Sequence, residues 1–445
     1  MRRILIRAAL FFGVLALIMA SGCKSSGSSG STGITKFTFK ASDNAPDINQ
    51  ITYTVDTVAG TITNYDSIAY TSVITQVVPV VTLGKTVSEI RINDVAWNQT
   101  DSIDVSSEFK LTIISANKKY FKDYTVRINK HTVNPDSIVW QKIDHDLPAG
   151  FTGGRALYTD DIFLFIGERD GSQETYMSTD CTEWTMLSQS DPVININTAY
   201  ATRGFNLYGG IYALSLAGDA IYTYNSIEGS FEKTVAIEGF TATDIIGEYQ
   251  DEILILAKKD GNSAILTYKD GAVTEKKSSY PSSFPVAGGF ARLLVKYDEE
   301  TTANVESTFL IGGETSQGVY TTGVHATDNG WYWSNILKTP SSSYFTPMSY
   351  SAAVQYCKKL YTFGGVTNSS GTEFADNQIS SDNGFTWSAP ANYQKVPDAF
   401  TPKYGISAIA ADDGDFYIMG GFNSGKTYVL DFYKGRVRSA DFLIP

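Results

Sequence analysis

The sequence predicts an all-β protein: a β-sandwich followed by a six-bladed β-propeller. Three observations predict it. Tyr and Phe are abundant, at 27 and 24 of 445 residues, and long helical periodicity is nearly absent. Short runs of alternating apolar and polar residues recur along the whole sequence, bounded by Gly, Asn and Asp. A unit of about 52 residues then repeats over the last three hundred.

The N-terminus reads as an export segment. Arg2, Arg3 and Arg7 form a positive head, and Ala8 to Ala20 is an uncharged, mostly apolar run. That run has signal-peptide length and is short of the ~20 apolar residues that a spanning helix needs. It ends in Ala20-Ser21-Gly22-Cys23, which resembles the bacterial lipobox, with Ala20 where that family commonly has Leu. The resemblance implies cleavage after residue 22 and a lipidated Cys23, hence a membrane partner reached through the anchor. Residues 23–33 are nearly all Ser, Gly and Thr after the Cys. Such a segment is a flexible tether with an r.m.s. reach of roughly 17 Å. The expected location is the cell envelope, as an outer-membrane lipoprotein. No acidic cluster follows Cys23, so the periplasmic and surface faces both stay open.

Charge bounds the partners. Without residues 1–22 the protein has 32 basic and 47 acidic side chains, a balance of −15. An acidic surface repels nucleic acid, which is therefore not expected as a partner. His131, His145 and His325 stand isolated, and no Cys-x-x-Cys or His-x-x-x-His spacing occurs. Neither a metal site nor a cofactor is expected. Cys181 and Cys357 read as buried apolar residues, with a disulfide the alternative open to an exported protein.

Residues 34–130 form the first domain. Phe37 and Phe39 alternate with polar residues, as do Ile51, Tyr53 and Val55; Gly60 marks a turn. Pro79 inside Val77–Val81 suits a sheet edge. Phe109, Leu111 and Ile113, then Tyr124, Val126 and Ile128, complete the pattern around a turn at Asn117. Roughly seven short strands in this length fit an Ig-like β-sandwich acting as a spacer or adhesion module. Val133-Asn134-Pro135-Asp136 is a linker.

Residues 137–445 carry the repeat. An apolar strand ending in Gly recurs as Phe163–Gly167, Phe309–Gly313, Leu360–Gly365 and Phe416–Gly421. Gly312 to Gly364 spans 52 residues and Gly364 to Gly420 spans 56. Gly167 to Gly312 spans 145, or three periods, filled by weaker copies at Ile211–Leu214 and Ile253–Ala257. Six such sheets bury their faces by packing radially. Two segments compete for the outer strand that closes the ring: Val437–Phe442 and Ser137–Lys142, the latter with Trp140.

A second motif keeps the same period. Ser380-Ser381-Asp382-Asn383-Gly384-Phe385-Thr386-Trp387 resembles the Asp-box of sialidase-like propellers. Thr327 to Trp333, aligned through Asp328, and Ser178 to Trp184 are imperfect copies. The double glycines resemble kelch and galactose-oxidase-like propellers. Together with the lipobox and the Ig-like module, they resemble a Bacteroidetes lipoprotein family of unknown function. The Asp-box residues and glycines are expected to build turns rather than chemistry.

The candidate ligand-binding residues are arginines. Arg155 follows Gly153-Gly154, Arg292 follows Gly288-Gly289, and Arg203 precedes Gly204 at the opening of the second blade. Inner strands line the channel of a propeller, and arginines converging there would grip a carboxylate through paired hydrogen bonds. No catalytic residues are assigned. The expected function is a non-catalytic envelope protein presenting the propeller to a glycan or a partner protein. The alternative is a carbohydrate-active enzyme of sialidase-like or lyase type. That alternative requires two carboxylates, or a Tyr/Glu pair, beside the arginines.

Overall fold

The structure is a computed structural model that describes residues 32–297, 305–338, 346, 348–367, 372 and 377–438. Cys23 and its tether lie outside the described residues. The polypeptide falls into two compact units, residues 1–134 and 135–445. Both are all-β, with no α-helix among the described residues, and none of those residues forms a helix long and apolar enough to cross a membrane.

In the first unit, Ile34–Phe39 pairs with Pro79–Leu83 as a two-stranded sheet. Pro79 opens its strand, where a missing N–H costs no ladder bond. The other six strands form one sheet, in which Thr61–Asn64 runs parallel to Phe121–Arg127. A single core joins the two sheets. Phe37, Phe39 and Tyr53 meet edge to face at 5.3–5.7 Å beside Ile62, Leu111, Ile113 and Val126.

The second unit is six antiparallel sheets taken up one after another along the sequence. Two-residue turns join their strands. Asp160-Asp161, Asp170-Gly171, Asp260-Gly261 and Asp270-Gly271 all hold positive φ at both positions, which matches the right-handed twist of a hairpin. The second strands are the most buried. Phe163, Leu164, Phe165 and Ile166 are all sealed, as are Ile253 to Ala257, because both faces of a middle sheet pack on neighbours. Truncating a ring such as Phe165 would cost about 3–5 kcal/mol.

The double glycines satisfy two demands at once. Gly312 and Gly313 have φ of 68° and 98°, and a Cβ on Gly312 would sit 2.5 Å from the Met348 carbonyl. Gly364–Gly365 and Gly420–Gly421 repeat the conformation.

The first strand of each sheet packs against the first strand of the next. The first strand of the sixth sheet returns to that of the first, so the six sheets close a ring. Closure uses the N-terminal candidate: Ile138–Ile143 pairs antiparallel with Phe432–Val437 along its whole length. Trp140 thereby packs edge to face on Phe363 and Phe416.

Candidate functional site

The six inner strands surround a channel. A cavity of about 260 Å³ in it is lined by residues of five of them. Its lining holds Arg155, Arg203, Arg292 and Lys296 and no carboxylate, in a protein whose net charge is −12. The three sequence-nominated arginines are thus brought to one cavity, but their surroundings differ.

Arg292 lies in the inner strand Ala291–Tyr297, and its side chain is 5% exposed. Its guanidinium reaches the Asp244 carboxylate on the neighbouring inner strand at 3.1 Å. It also donates to the carbonyls of Ile245 (2.7 Å), Asn197 (2.9 Å) and Thr198 (3.2 Å). Arg292 is therefore a strut tying three inner strands together. Arg203 ends the strand Ile194–Arg203 rather than opening its sheet. It donates to the Ala410 carbonyl at 2.6 Å, pairs with Asp412 at 3.4 Å and lies over the Tyr158 ring.

Arg155, in Gly153–Thr159, has no such partners. Its Nε is buried without an acceptor, and its guanidinium makes no hydrogen bond or ion pair among the described residues. Burial pushes its pKa down to about 9, and Arg292 acts in the same direction; Asp244 and Tyr428 offset part of this. At neutral pH the group is still a cation. Asp244 is ion-paired with Arg292 and acts on Arg155 only through space, so the charge of Arg155 has no paired carboxylate among the described residues.

A Tyr/Glu pair stands beside these arginines, and no spacing in the sequence announced it. Tyr200 lines the cavity under the Arg292 guanidinium, and its hydroxyl donates to Glu248 Oε1 at 3.1 Å. The same oxygen accepts the backbone N–H groups of Arg203 (2.7 Å) and Gly204 (3.1 Å). Glu248 Oε2 is buried and unpartnered. Burial, reinforced by the charge of Glu306, pushes Glu248 up to about 7 against those hydrogen bonds. Glu306 in turn accepts the Phe205 N–H, so two carboxylates hold the 203–205 turn at the mouth. Lys296 lies over the Phe205 ring, its pKa lowered by burial and by Arg203.

The repeated Ser/Thr turns are local scaffolding, as their hydrogen bonds show. Ser380 Oγ accepts from the Gly384 N–H, and Asp382 accepts both the N–H and the hydroxyl of Thr386. Trp387 is sealed behind them. The turn at 178–184 is alike and holds Asp180 down at about 2, through bonds donated by Thr182. The copy at 327–333 is offset from the alignment through Asp328. Thr327 takes the place of the serine, and Asn329 Oδ1 accepts from Trp331 and Tyr332. Asp328 is exposed. Aligning hydrogen-bonding side chains rather than carboxylates would have found this register. Cys181 and Cys357 are both free thiols.

No curated protein matches the sequence. Among solved structures, one described as "Structure of YjhT" is similar at 14% identity, over 65% of this protein and 96% of that one, with a TM-score of 0.43. At that distance neither function nor detail transfers. Two family models match: the DUF6242 N-terminal domain of unknown function over residues 29–128, and the DUF6242 beta propeller domain over residues 134–444. With sandwich and propeller both covered in order, the protein belongs to the DUF6242 family.

Proposed function

We propose that this protein is a binding module whose six-bladed, kelch-like propeller takes a carboxylate-bearing ligand into its channel. The ligand is an acidic glycan, and Arg155 is its anchor. One observation carries the reading: a half-buried guanidinium with no acceptor among the described residues and with its Nε sealed from solvent, in a cavity lined by four cations and no acid. A buried N–H of a cation left without an acceptor is costly, and a bound carboxylate removes the cost through paired, charge-assisted hydrogen bonds. Arg203 and Lys296 would steer the anion at the mouth. Arg292 would shape the floor, since its own hydrogen bonds are taken by the protein.

The Ig-like sandwich and the Ser/Gly tether act as spacer in this reading, and Cys23 anchors the protein as an envelope lipoprotein. Labelling with a lipid precursor that is lost in Cys23→Ser tests that part. For the channel, the test is retention of acidic polysaccharides by full-length protein and by Arg155→Met. Retention by the first alone supports the reading; equal retention by both contradicts it.

A second reading, a carbohydrate-active enzyme, has one specific observation in its favour: the Tyr200–Glu248 pair beside the arginines, with Glu248 near 7. Against it, Glu248 is sealed off, and burial followed by the Glu248 charge pushes the Tyr200 phenol well above its usual range, so it is a weak nucleophile. Release of sugar products in the retention experiment would favour the enzyme.

A further inference from the structure

Three sheets approach the channel through the same local arrangement. The residue after each double glycine bridges to the segment that leads into an inner strand: Glu314 to Gly288, Val366 to Ser349, and Phe422 to Tyr404. The next residue in each segment holds a left-handed backbone. These are Gly289 at φ 71°, Tyr350 at φ 58° and Gly405 at φ 65°. They are joined in series, the Tyr350 N–H donating to the Gly289 carbonyl and the Gly405 N–H to the Tyr350 carbonyl. Two of the three equivalent positions are glycine, the residue this conformation favours. The third is a tyrosine, for which it is strained. Folding is served by glycine here, so the tyrosine needs another explanation.

Tyr350 is 46% exposed, and its hydroxyl makes no hydrogen bond among the described residues. Burial of the rest of the ring, then the charges of Glu314, Tyr404 and Asp244, push its phenol up. Asp244 is the carboxylate that pairs with Arg292 and whose charge also acts on Arg155. Tyr350 leads an aromatic row: Tyr404 at 6.2 Å, Phe422 stacked on Tyr404 at 5.5 Å, and Tyr428 edge-on to Phe422 at 5.2 Å. The row reaches the start of the first inner strand, where Phe422 stands 3.8 Å from the place a Cβ of Gly153 would take. Gly153 is two residues, about 7 Å of strand, from Arg155.

We propose that Tyr350 and this aromatic row form a stacking platform at the end of the channel where the inner strands begin, opposite the 203–205 turn, so that the carboxylate ligand is a sugar acid in its ring form. The proposal rests on the Arg155 reading and sharpens it. The C–H face of a pyranose is apolar and weakly positive, and it complements the negative face of an aromatic ring. A linear acid of the same size offers no such face.

The test is titration calorimetry of the full-length protein with the ring acids glucuronate and galacturonate and the linear acid gluconate, all as D-sugars. Wild type is expected to bind the ring acids roughly tenfold more tightly than gluconate. Tyr350→Gly should erase that preference without lowering the melting temperature, and Tyr350→Phe should keep it. If Tyr350→Gly does not fold, Tyr350→Asn, which tolerates a left-handed backbone, replaces it. A ring preference absent from wild type, intact in Tyr350→Gly or lost in Tyr350→Phe overturns stacking. Arg155→Met separates the two layers. Loss of all three acids upholds the Arg155 reading whatever Tyr350 does, whereas unchanged binding, or no binding of any acid by wild type, sinks both.

Discussion

At the residue scale two of the three channel arginines, Arg155 and Arg292, behave as opposites. Arg155 is a half-buried cation whose Nε is sealed without an acceptor, so an apolar side chain of similar length removes a desolvation cost and orphans nothing. Arg155→Met is expected to leave stability unchanged or to raise it by about 1–2 kcal/mol, while ligand binding is lost. Arg292→Met strips partners from the half-buried Asp244 and from several carbonyls, and is expected to cost about 2–4 kcal/mol. Thermal denaturation of both variants checks the contrast.

Glu248 supplies a pH signature. Its folded-state pKa, about 7, lies above the ordinary value of 4.5. Between those values the folded state holds more protons than the unfolded one, so this residue makes stability rise as pH falls from 7 toward 4.5. His325 acts with the opposite sign: burial lowers it to about 4, and its contribution is lost as pH falls from 6.5. The comparison that isolates Glu248 is therefore wild type against Glu248→Gln. The variant should be the more stable above pH 7, by roughly 2–3 kcal/mol, and the gap should close near pH 5. A gap independent of pH would contradict this.

At the element scale, the repeated turns test which side chain does the work. Asn329 Oδ1 accepts two backbone N–H groups, whereas Asp328 is exposed. Asn329→Ala should cost about 1–2 kcal/mol and Asp328→Ala less than about 0.5, with ligand binding unchanged in both. These turns also show what sequence reasoning can reach. Ser380, Asp382 and Trp387 sit at fixed spacing because every one of their bonds is local. The Tyr200–Glu248 pair was invisible because its members lie 48 residues apart, on inner strands of different sheets. Tyr350 was legible in principle: aligning the repeats sets it against Gly289 and Gly405, but only the backbone angles give that alignment meaning.

At the scale of the whole molecule, the period of about 52 residues carried the architecture, because each sheet is one supersecondary unit in sequence order. Closure was not legible: two segments had equal claims, and only pairing across the ends of the unit decides between them. Without Ile138–Ile143, the sixth sheet would expose the edge of Phe432–Val437 and uncover Phe416 and Phe363. A polypeptide starting at residue 135 is expected to unfold in one cooperative transition. One starting at residue 145 is expected to aggregate or to lose that transition, as circular dichroism on heating would show. The arginines converge because inner strands surround one axis. Their different roles come from distant acceptors, Asp244, Asp412 and Ala410, which no local pattern reveals.

The central claim is that Arg155 holds a carboxylate in the channel. The most direct measurement is calorimetric titration of wild type and Arg155→Met with D-glucuronate, at matched pH and salt. Saturable binding to wild type is predicted, with at least a roughly tenfold loss in the variant and its melting temperature preserved. Equal affinities for the two proteins, or no binding by a well-folded wild type, would contradict it.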